Sequence, residues 1–143
     1  MVKHKYALIE RERRYLVCDL PSGILQDKPF QLISDLYIAD TRLRLRRMED
    51  EKGAVSSYKL GQKYLPDEQS PEKMVMTNIY LDKTEYDLLS SLPGSWLVKR
   101  RYPVDHRGRR FSLDVFEGDL EGLVLCEIEL PLETGTSQAD QWK

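Results

Sequence analysis

Like-charged residues recur two positions apart in several segments of the chain, and these rows could carry chemistry. The acidic pairs are Glu10 with Glu12 and Glu127 with Glu129. The basic rows are Arg42, Arg44 and Arg46, and Lys99 with Arg101. Carboxylate oxygens are ligands for Mg²⁺ and similar hard cations, and guanidinium and ammonium groups bind phosphate oxygens. The two kinds of row together suit a polyphosphate that binds with Mg²⁺ or Mn²⁺.

The charged rows lie in segments with the two-residue alternation typical of β-strands, in which residues i and i+2 share a face. Leu43 and Leu45 therefore point away from the neighbouring arginines. The predicted strands are Ala7–Cys18, Gln31–Ala39, Thr41–Met48, Ala54–Gly61, Met74–Leu81, Leu97–Val104, Arg110–Phe116 and Leu123–Leu130. Eight such strands are enough for a closed antiparallel barrel of the size that holds one ligand.

Each charged row has an ordinary alternative explanation, because antiparallel sheets commonly leave one charged face in water. As a set the rows are harder to explain in this way, since whole rows carry one sign and like charges two residues apart repel. If these faces turn inward, acids and bases line one polar tunnel, and the apolar outer faces supply the packing. The residues alone leave both arrangements open.

One helix is predicted after Asp82, because this N-cap is followed three residues later by Glu85 in the pattern of a capping box. An apolar stripe follows and Pro93 with Gly94 ends the helix. Residues 22–26 are a candidate for a second, short helix. The predicted fold class is α+β and β-dominated: an eight-stranded antiparallel closed, tunnel-like barrel with a few flanking helices.

Length and composition exclude several classes of protein. The 143 residues predict a single domain over residues 1–143. The 22 basic and 24 acidic residues give a formal net charge of −2, which disfavours a general nucleic-acid binder. Apolar runs are too short for a membrane span, and the first residues lack the apolar region of a signal peptide. Cys18 and Cys126 are expected to be reduced thiols of a cytoplasmic protein, and His4 and His106 lack metal-ligand spacing.

A series of short motifs runs through most of the chain in a fixed order. They are IERERRYLV at 9–17, LRLR at 43–46, YKLG at 58–61, LVKRRY at 97–102, LDVFEG at 113–118 and EGLVLCEIELP at 121–131. The first is similar to an ExExK signature. The whole series, over residues 6–131, resembles the CYTH, or triphosphate tunnel metalloenzyme, superfamily.

The resemblance implies an eight-stranded antiparallel tunnel that binds a triphosphate with one or two divalent metal ions. The implied metal ligands are Glu10, Glu12, Glu127 and Glu129. The implied phosphate-binding residues are Arg14, Arg42, Arg44, Arg46, Lys59, Lys99 and Arg101, with the register of the arginine row left open by one pair. For catalysis the resemblance points to Asp114, at the metal or at the attacking water, together with Glu12 and Lys59.

Three features depart from the family pattern. Arg14 replaces the usual lysine of the signature, and an arginine can bind phosphate but is a poor general base. Residues 74–79 carry fewer charges than relatives often have. A C-terminal segment that relatives usually carry after the last acidic strand is expected to be short or absent.

The function favoured by these inferences is divalent-metal-dependent hydrolysis of a triphosphate. Inorganic tripolyphosphate, a nucleoside triphosphate and thiamine triphosphate are candidate substrates, and Mg²⁺ or Mn²⁺ is the expected cofactor. The alternatives are a class IV-type adenylyl cyclase, for which no adenine pocket is evident, and a binding module that does not turn its triphosphate or polyphosphate over. RNA binding through residues 99–101 together with Arg107, Arg109 and Arg110 is a weaker alternative. The expected partner is a small-molecule triphosphate, with no membrane, and the oligomeric state is open, a homodimer included.

Overall fold

A computed structural model of the chain describes residues 8–21, 23–64 and 73–130, without the side chains of residues 8–10, 73 and 106. All eight predicted strands are confirmed. They are β1 (Leu8–Leu16), β2 (Gln31–Ile38), β3 (Leu43–Asp50), β4 (Val55–Tyr64), β5 (Lys73–Leu81), β6 (Gly94–His106), β7 (Arg109–Glu117) and β8 (Val124–Glu129). The largest difference is in β6, which extends three residues earlier than predicted because its first residues pair with the end of β2.

The strands form one antiparallel sheet in the order β1-β5-β4-β3-β2-β6-β7-β8, and the pairing returns to β1. Strand β1 is divided between two neighbours: residues 8–11 pair with β5 and residues 12–16 pair with β8. The two halves of β1 thus pair with different strands, on opposite edges of β1. The described sheet is curled into a half-barrel, and the predicted closed barrel is not confirmed.

The apolar core lies on the outer, convex face of the sheet. Leu36 and Leu45 are fully buried there and pack with Tyr86 of the helix. The prediction that Leu45 points away from its arginine neighbours is therefore confirmed. Because side chains alternate along a strand, Arg44 and Arg46, which flank Leu45 on β3, face the opposite, concave side.

A single α-helix, α1 (Lys83–Leu89), is present in the described ranges, so the few flanking helices of the prediction are reduced to one. Its predicted capping box is confirmed: an Asp82 carboxylate oxygen accepts from the Glu85 amide at 2.8 Å, and the Asp82 amide donates to the Glu85 carboxylate at 2.9 Å. The second helix predicted near residues 22–26 is wrong. Residues 23–27 form turns closed by bonds from amide i to carbonyl i−3, with Gly23 and Asp27 at positive φ.

In the parts of the chain that the structure describes, no helix is long and apolar enough to cross a membrane.

Candidate functional site

Charged side chains converge on the concave face of the half-barrel and line a cavity of about 190 Å³, here called the cationic cavity. Its basic residues are Arg14, Arg44, Arg46, Lys59, Lys63, Lys99 and Arg101. Two carboxylates, Glu12 and Glu127, also line it. Seven cations against two carboxylates suit a polyanion, because a partly desolvated cluster of like charges needs counter-charge.

Arg44 is the cation in this cavity that the described residues satisfy least. Its Nε and one terminal nitrogen are buried without a hydrogen-bond partner in the described part of the chain, and its Nε lies 4.0 Å from an Asp35 carboxylate oxygen. Burial and the neighbouring charge of Arg46 lower the pKa of Arg44. Gly61, its cross-strand partner, leaves room for the Asn78 side chain, since a Cβ there would lie 2.8 Å from Asn78 Oδ1 but at an ordinary contact distance of 3.6 Å from Arg44. An anion with free oxygens would satisfy these N–H groups.

Arg46 lies next along β3 and is held by a buried carboxylate. Its Nε and a terminal nitrogen donate to the two Asp35 oxygens at 2.7 and 2.8 Å, a bidentate pair. Asp35 on β2 is the direct cross-strand partner of Arg46. The contact fixes the plane of the guanidinium that borders the cavity.

A second buried carboxylate, Asp114 of β7, holds two cations of β6, the strand on the other side of β2 from β3. Its oxygens accept from Arg101 at 2.8 and 3.0 Å, and Lys99 Nζ lies 2.8 Å away. Burial acts to raise the pKa of Asp114, but the hydrogen bonds and charges of Arg101 and Lys99 outweigh it, and the pKa lies below its ordinary value. Asp114 is therefore a fully buried, ionised carboxylate that orients cations.

Arg14 bridges the two carboxylates of the cationic cavity. Its Nε donates to Glu127 at 2.9 Å, and a terminal nitrogen donates to Glu12 at 2.9 Å. Arg101 approaches the other Glu127 oxygen to 3.6 Å. Burial opposes the charge of Arg14, but the two glutamates outweigh this effect and raise its pKa. The residue at the last position of the signature is thus a cation neutralising two carboxylates.

A second cavity of about 270 Å³ adjoins the first, and here it is called the carboxylate cavity. Its lining residues are Arg11, Glu12, Arg101, Arg110, Ser112, Glu127 and Glu129. Glu12 and Glu129 are direct partners across β1 and β8. The oxygen donors suit a hard divalent cation in type. They do not form a finished site, since no three acidic, histidine or cysteine side chains are grouped as metal ligands within the described ranges.

The remaining predicted residues are placed as follows. The Glu10 side chain lies outside the described residues, and its backbone pairs with Met74. Arg42 is exposed, precedes β3 and stacks on the Tyr64 ring at 5.3 Å, so it is not brought to the cationic cavity. Lys59 lines that cavity, with Nζ 5.7 Å from the Tyr80 ring.

Sequence reasoning missed four residues of this region. They are Asp35, which holds Arg46, and Tyr37, Lys63 and Asn78, which line the cationic cavity. A signal for Asp35 was available: it is a lone acid in an otherwise uncharged strand, next to a strand rich in arginine. Tyr37 and Asn78 carry no such signal, because uncharged polar residues are ordinary on either face of a strand.

Comparison with known proteins supports the fold. No protein-family model and no curated protein matches the chain. A structure of the inorganic triphosphatase NE1496 is 26% identical, covers 93% of this chain and 77% of its own, and has a TM-score of 0.51. Another NE1496 structure, described as a hypothetical protein, is 28% identical, with 94% and 82% covered and a TM-score of 0.51. A proposed adenylate cyclase from Bacillus halodurans is 20% identical, with 96% and 88% covered and a TM-score of 0.53.

The solved structures share the fold with this chain over most of its length, and the chain also carries the ordered series of charged motifs on the concave face of its sheet. These likenesses confirm the resemblance of the chain to the CYTH, or triphosphate tunnel metalloenzyme, superfamily.

Proposed function

We propose that this protein hydrolyses a triphosphate in the cationic cavity with the help of a divalent metal ion, and that inorganic tripolyphosphate is the first substrate to test. The observation that carries the proposal is the concave cluster of seven cations with two carboxylates. The similarity to NE1496, which is an inorganic triphosphatase, supports the same activity.

The substrate would bind through cations of β3 and β6, the two strands that flank β2. Arg44 offers buried N–H groups that have no hydrogen-bond partner within the described ranges, and Arg46 and Arg101 present guanidinium planes fixed by buried carboxylates. Positioning of this kind is the main contribution that proteins make to phosphoryl transfer, since the transition state is largely one of redistributed charge.

The metal ion would be held by Glu12, Glu127 and Glu129, with Glu10 as the fourth predicted ligand. When bound, it would offset the charge that develops on phosphate oxygens during attack. Arg14 now satisfies the oxygens of Glu12 and Glu127, so it must turn aside as a metal ion enters. Arg14 is about half exposed, which leaves it room to move.

The attacking water needs a base, and we assign this role to Glu12 rather than to Asp114. Asp114 has its oxygens engaged by Arg101 and Lys99, and its lowered pKa makes it a weak base. Glu12 lies at the junction of the two cavities, where a water between a phosphate and a metal ion would be placed. Lys59, also predicted to be catalytic, would serve by binding the anion.

Phosphate release from tripolyphosphate, ATP and thiamine triphosphate, measured with Mg²⁺, with Mn²⁺ and with a chelator, tests the proposal. We expect metal-dependent release from at least one substrate and a loss of about a hundredfold or more in Glu127→Gln, because one carboxylate of the metal site loses its charge. Glu121→Gln, an exposed acid outside both cavities, is the control and should be fully active. No release from any substrate by a folded sample would refute the proposal.

A second function, binding without turnover, is favoured by one specific observation. Arg14 neutralises both Glu12 and Glu127, so the carboxylates proposed for the metal already have a cation. Calorimetry showing tight tripolyphosphate binding in the presence of a chelator, with no phosphate released when metal is added, would establish this function. Chromatography of the ATP reaction for cyclic AMP tests the cyclase alternative, which stays a prediction.

A further inference from the structure

Asp35 is the most deeply buried carboxylate near the cationic cavity that no sequence motif assigns a role. It is 1% exposed and sits in the middle of β2 between Ser34 and Leu36. An ionised side chain at such depth is costly unless it is fully paired. The burial of Asp35 is therefore explained by the charged residues that pair with it.

The partners of Asp35 are two arginines that border the cavity. Arg46 takes both carboxylate oxygens, at 2.7 and 2.8 Å, and its own side chain is 7% exposed. Arg44 approaches one of the same oxygens to 4.0 Å. A bidentate contact fixes the plane of a guanidinium as well as its position. The carboxylate thus sets the direction in which Arg46 presents its remaining N–H groups.

Asp35 also balances the charge of this pair. Arg44 and Arg46 lie on the same face of β3 and repel one another, and the charge of Arg46 acts to lower the pKa of Arg44 while that of Asp35 acts to raise it. Without the carboxylate, two adjacent buried cations would move apart or turn toward water. The spacing between them would no longer be defined.

We propose that Asp35 is a positioning residue which fixes the orientation of Arg46 and, through its charge, keeps Arg44 beside it, so that the cationic cavity selects an extended triphosphate over a single phosphate or sulfate. The inference rests on the proposed function in taking the anion to be a triphosphate. A single phosphate can bind any cluster of positive charge, but successive phosphoryl groups of one chain need donors at defined distances. The carboxylate therefore contributes selectivity rather than raw attraction.

The test compares anion affinities of the wild type and of Asp35→Asn by calorimetry with a chelator present. The probes are tripolyphosphate, pyrophosphate and inorganic phosphate. The variant adds one net positive charge to the site, so phosphate should bind equally well or better. The preference for tripolyphosphate over phosphate should fall by about tenfold or more, since aligned charged hydrogen bonds are lost. Glu49→Gln is the matched control, because Glu49 pairs with Arg47 on the same strand, and this arginine is not among the residues that line the cavity.

Each other outcome counts against the inference. An unchanged preference in folded Asp35→Asn would overturn it, and so would affinities for all three anions that rise by one common factor, which indicates a purely electrostatic role. If the Asn variant does not fold, Asp35→Glu keeps the charge but displaces the guanidinium by one methylene, and an unchanged preference there overturns the inference. A wild type that binds tripolyphosphate no more tightly than phosphate would also overturn the inference.

Turnover measurements distinguish a failure of this inference from a failure of the proposed function. If the wild type hydrolyses tripolyphosphate, Asp35→Asn should lower kcat at least tenfold as well as raise KM, because misaligned donors weaken the transition state beyond the loss of substrate binding. A merely structural role would lower the melting temperature and leave kcat of the folded fraction intact. If the wild type prefers tripolyphosphate but releases no phosphate, the hydrolase proposal fails while the role of Asp35 stands on the binding data.

Discussion

Single residues of the cavity fall into two groups, those held by an internal carboxylate and those left for a ligand. Arg46, Lys99 and Arg101 belong to the first group, through Asp35 and Asp114. Arg44 belongs to the second, because two of its nitrogens are buried without a hydrogen bond in the described part of the chain. The division separates the cations that build the cavity from one that is available to recognise an anion.

Arg44→Met should weaken tripolyphosphate binding and stabilise the folded protein. The methionine removes a desolvated cation beside Arg46, so the melting temperature should rise, whereas tripolyphosphate affinity should fall by about tenfold to a hundredfold with the lost charged hydrogen bonds. Thermal melting and calorimetry check the two effects. Arg100→Met, in an exposed ion pair outside the cavity, should leave affinity unchanged. Undiminished affinity in Arg44→Met would show that this guanidinium does not contact the anion.

Arg14→Gln should strengthen metal binding. Because Arg14 competes for the oxygens of Glu12 and Glu127, its neutral replacement should raise Mn²⁺ affinity roughly fivefold, the value of an exposed ion pair of this kind. Titration calorimetry with Mn²⁺ alone measures it, and Arg13→Gln on the opposite face of β1 is the control. Weaker or equal Mn²⁺ binding in Arg14→Gln would place the metal elsewhere.

At the scale of elements, the hairpin between β3 and β4 positions the arginine row relative to Lys59. Its turn is closed by Asp50, whose carboxylate accepts from the amides of Lys52 and Ala54 at 2.8 and 2.9 Å. Gly53 adopts a φ of 88°, which only glycine does readily. The hydrogen bonds of this turn therefore stabilise the β3–β4 hairpin in addition to the backbone hydrogen bonds between the two strands.

Asp50→Ala should destabilise the protein in a pH-dependent way. The hydrogen bonds from Ala54 and Lys52 lower the pKa of Asp50 below its ordinary 3.8. In the folded state Asp50 therefore stays ionised to lower pH than in the unfolded state, and its contribution is present above 3.8 and lost as the pH falls through the folded pKa. Urea unfolding at about pH 7 and about pH 3 should show a gap between variant and wild type that narrows in acid. Glu51→Ala in the same turn is the control, and an equal gap at both pH values would contradict the assignment.

The extent to which sequence predicts this protein differs between its elements and its contacts. Alternation identified all eight strands and sent Leu45 and Arg46 to opposite faces, because a strand's period is a local property. The turn near residue 24 was mistaken for a helix, since a few residues carry too little periodicity to distinguish the two. Arg42 and Arg44 lie two residues apart, so alternation places them on the same face of a strand. Only the structure shows that β3 begins after Arg42 and leaves it outside the cavity. The role of Asp35 depends on which strand lies beside β2, and local pattern does not contain that information.

On the scale of the whole molecule, a formal charge of −2 conceals a strongly positive interior surface. Among the described acids, Asp35 and Asp114 are buried behind the cations, Glu12 and Glu127 line the cavity, and Glu85 and Asp87 lie on the helix. Net charge is thus a poor guide to ligand preference here, because the distribution of charge rather than its sum sets the local potential.

Tripolyphosphate should stabilise the whole fold, since it binds the folded chain alone. At a concentration a hundredfold above its dissociation constant the gain is about 2.7 kcal/mol, which corresponds to a rise in melting temperature of roughly 5–10 °C for a protein of this size. Differential scanning fluorimetry with a chelator present measures it without any turnover. Sulfate at matched ionic strength should give a much smaller rise, and equal shifts for both anions would argue against a selective cavity.

The division of β1 between two neighbours has a consequence for how the molecule assembles. Most ladders join strands close in the chain, but β1 meets β8 across more than a hundred residues, as at Glu12 and Glu129. Contacts between such distant segments carry the largest loop-closure entropy and form late. Both partners of β1 are distant in the chain, whereas β8 also pairs with its sequence neighbour β7. We therefore expect the ladder between β1 and β8 to form last, and pulse-labelled hydrogen exchange should find β1 amides among the slowest to gain protection. Metal-binding competence would then arrive only at the final step of folding.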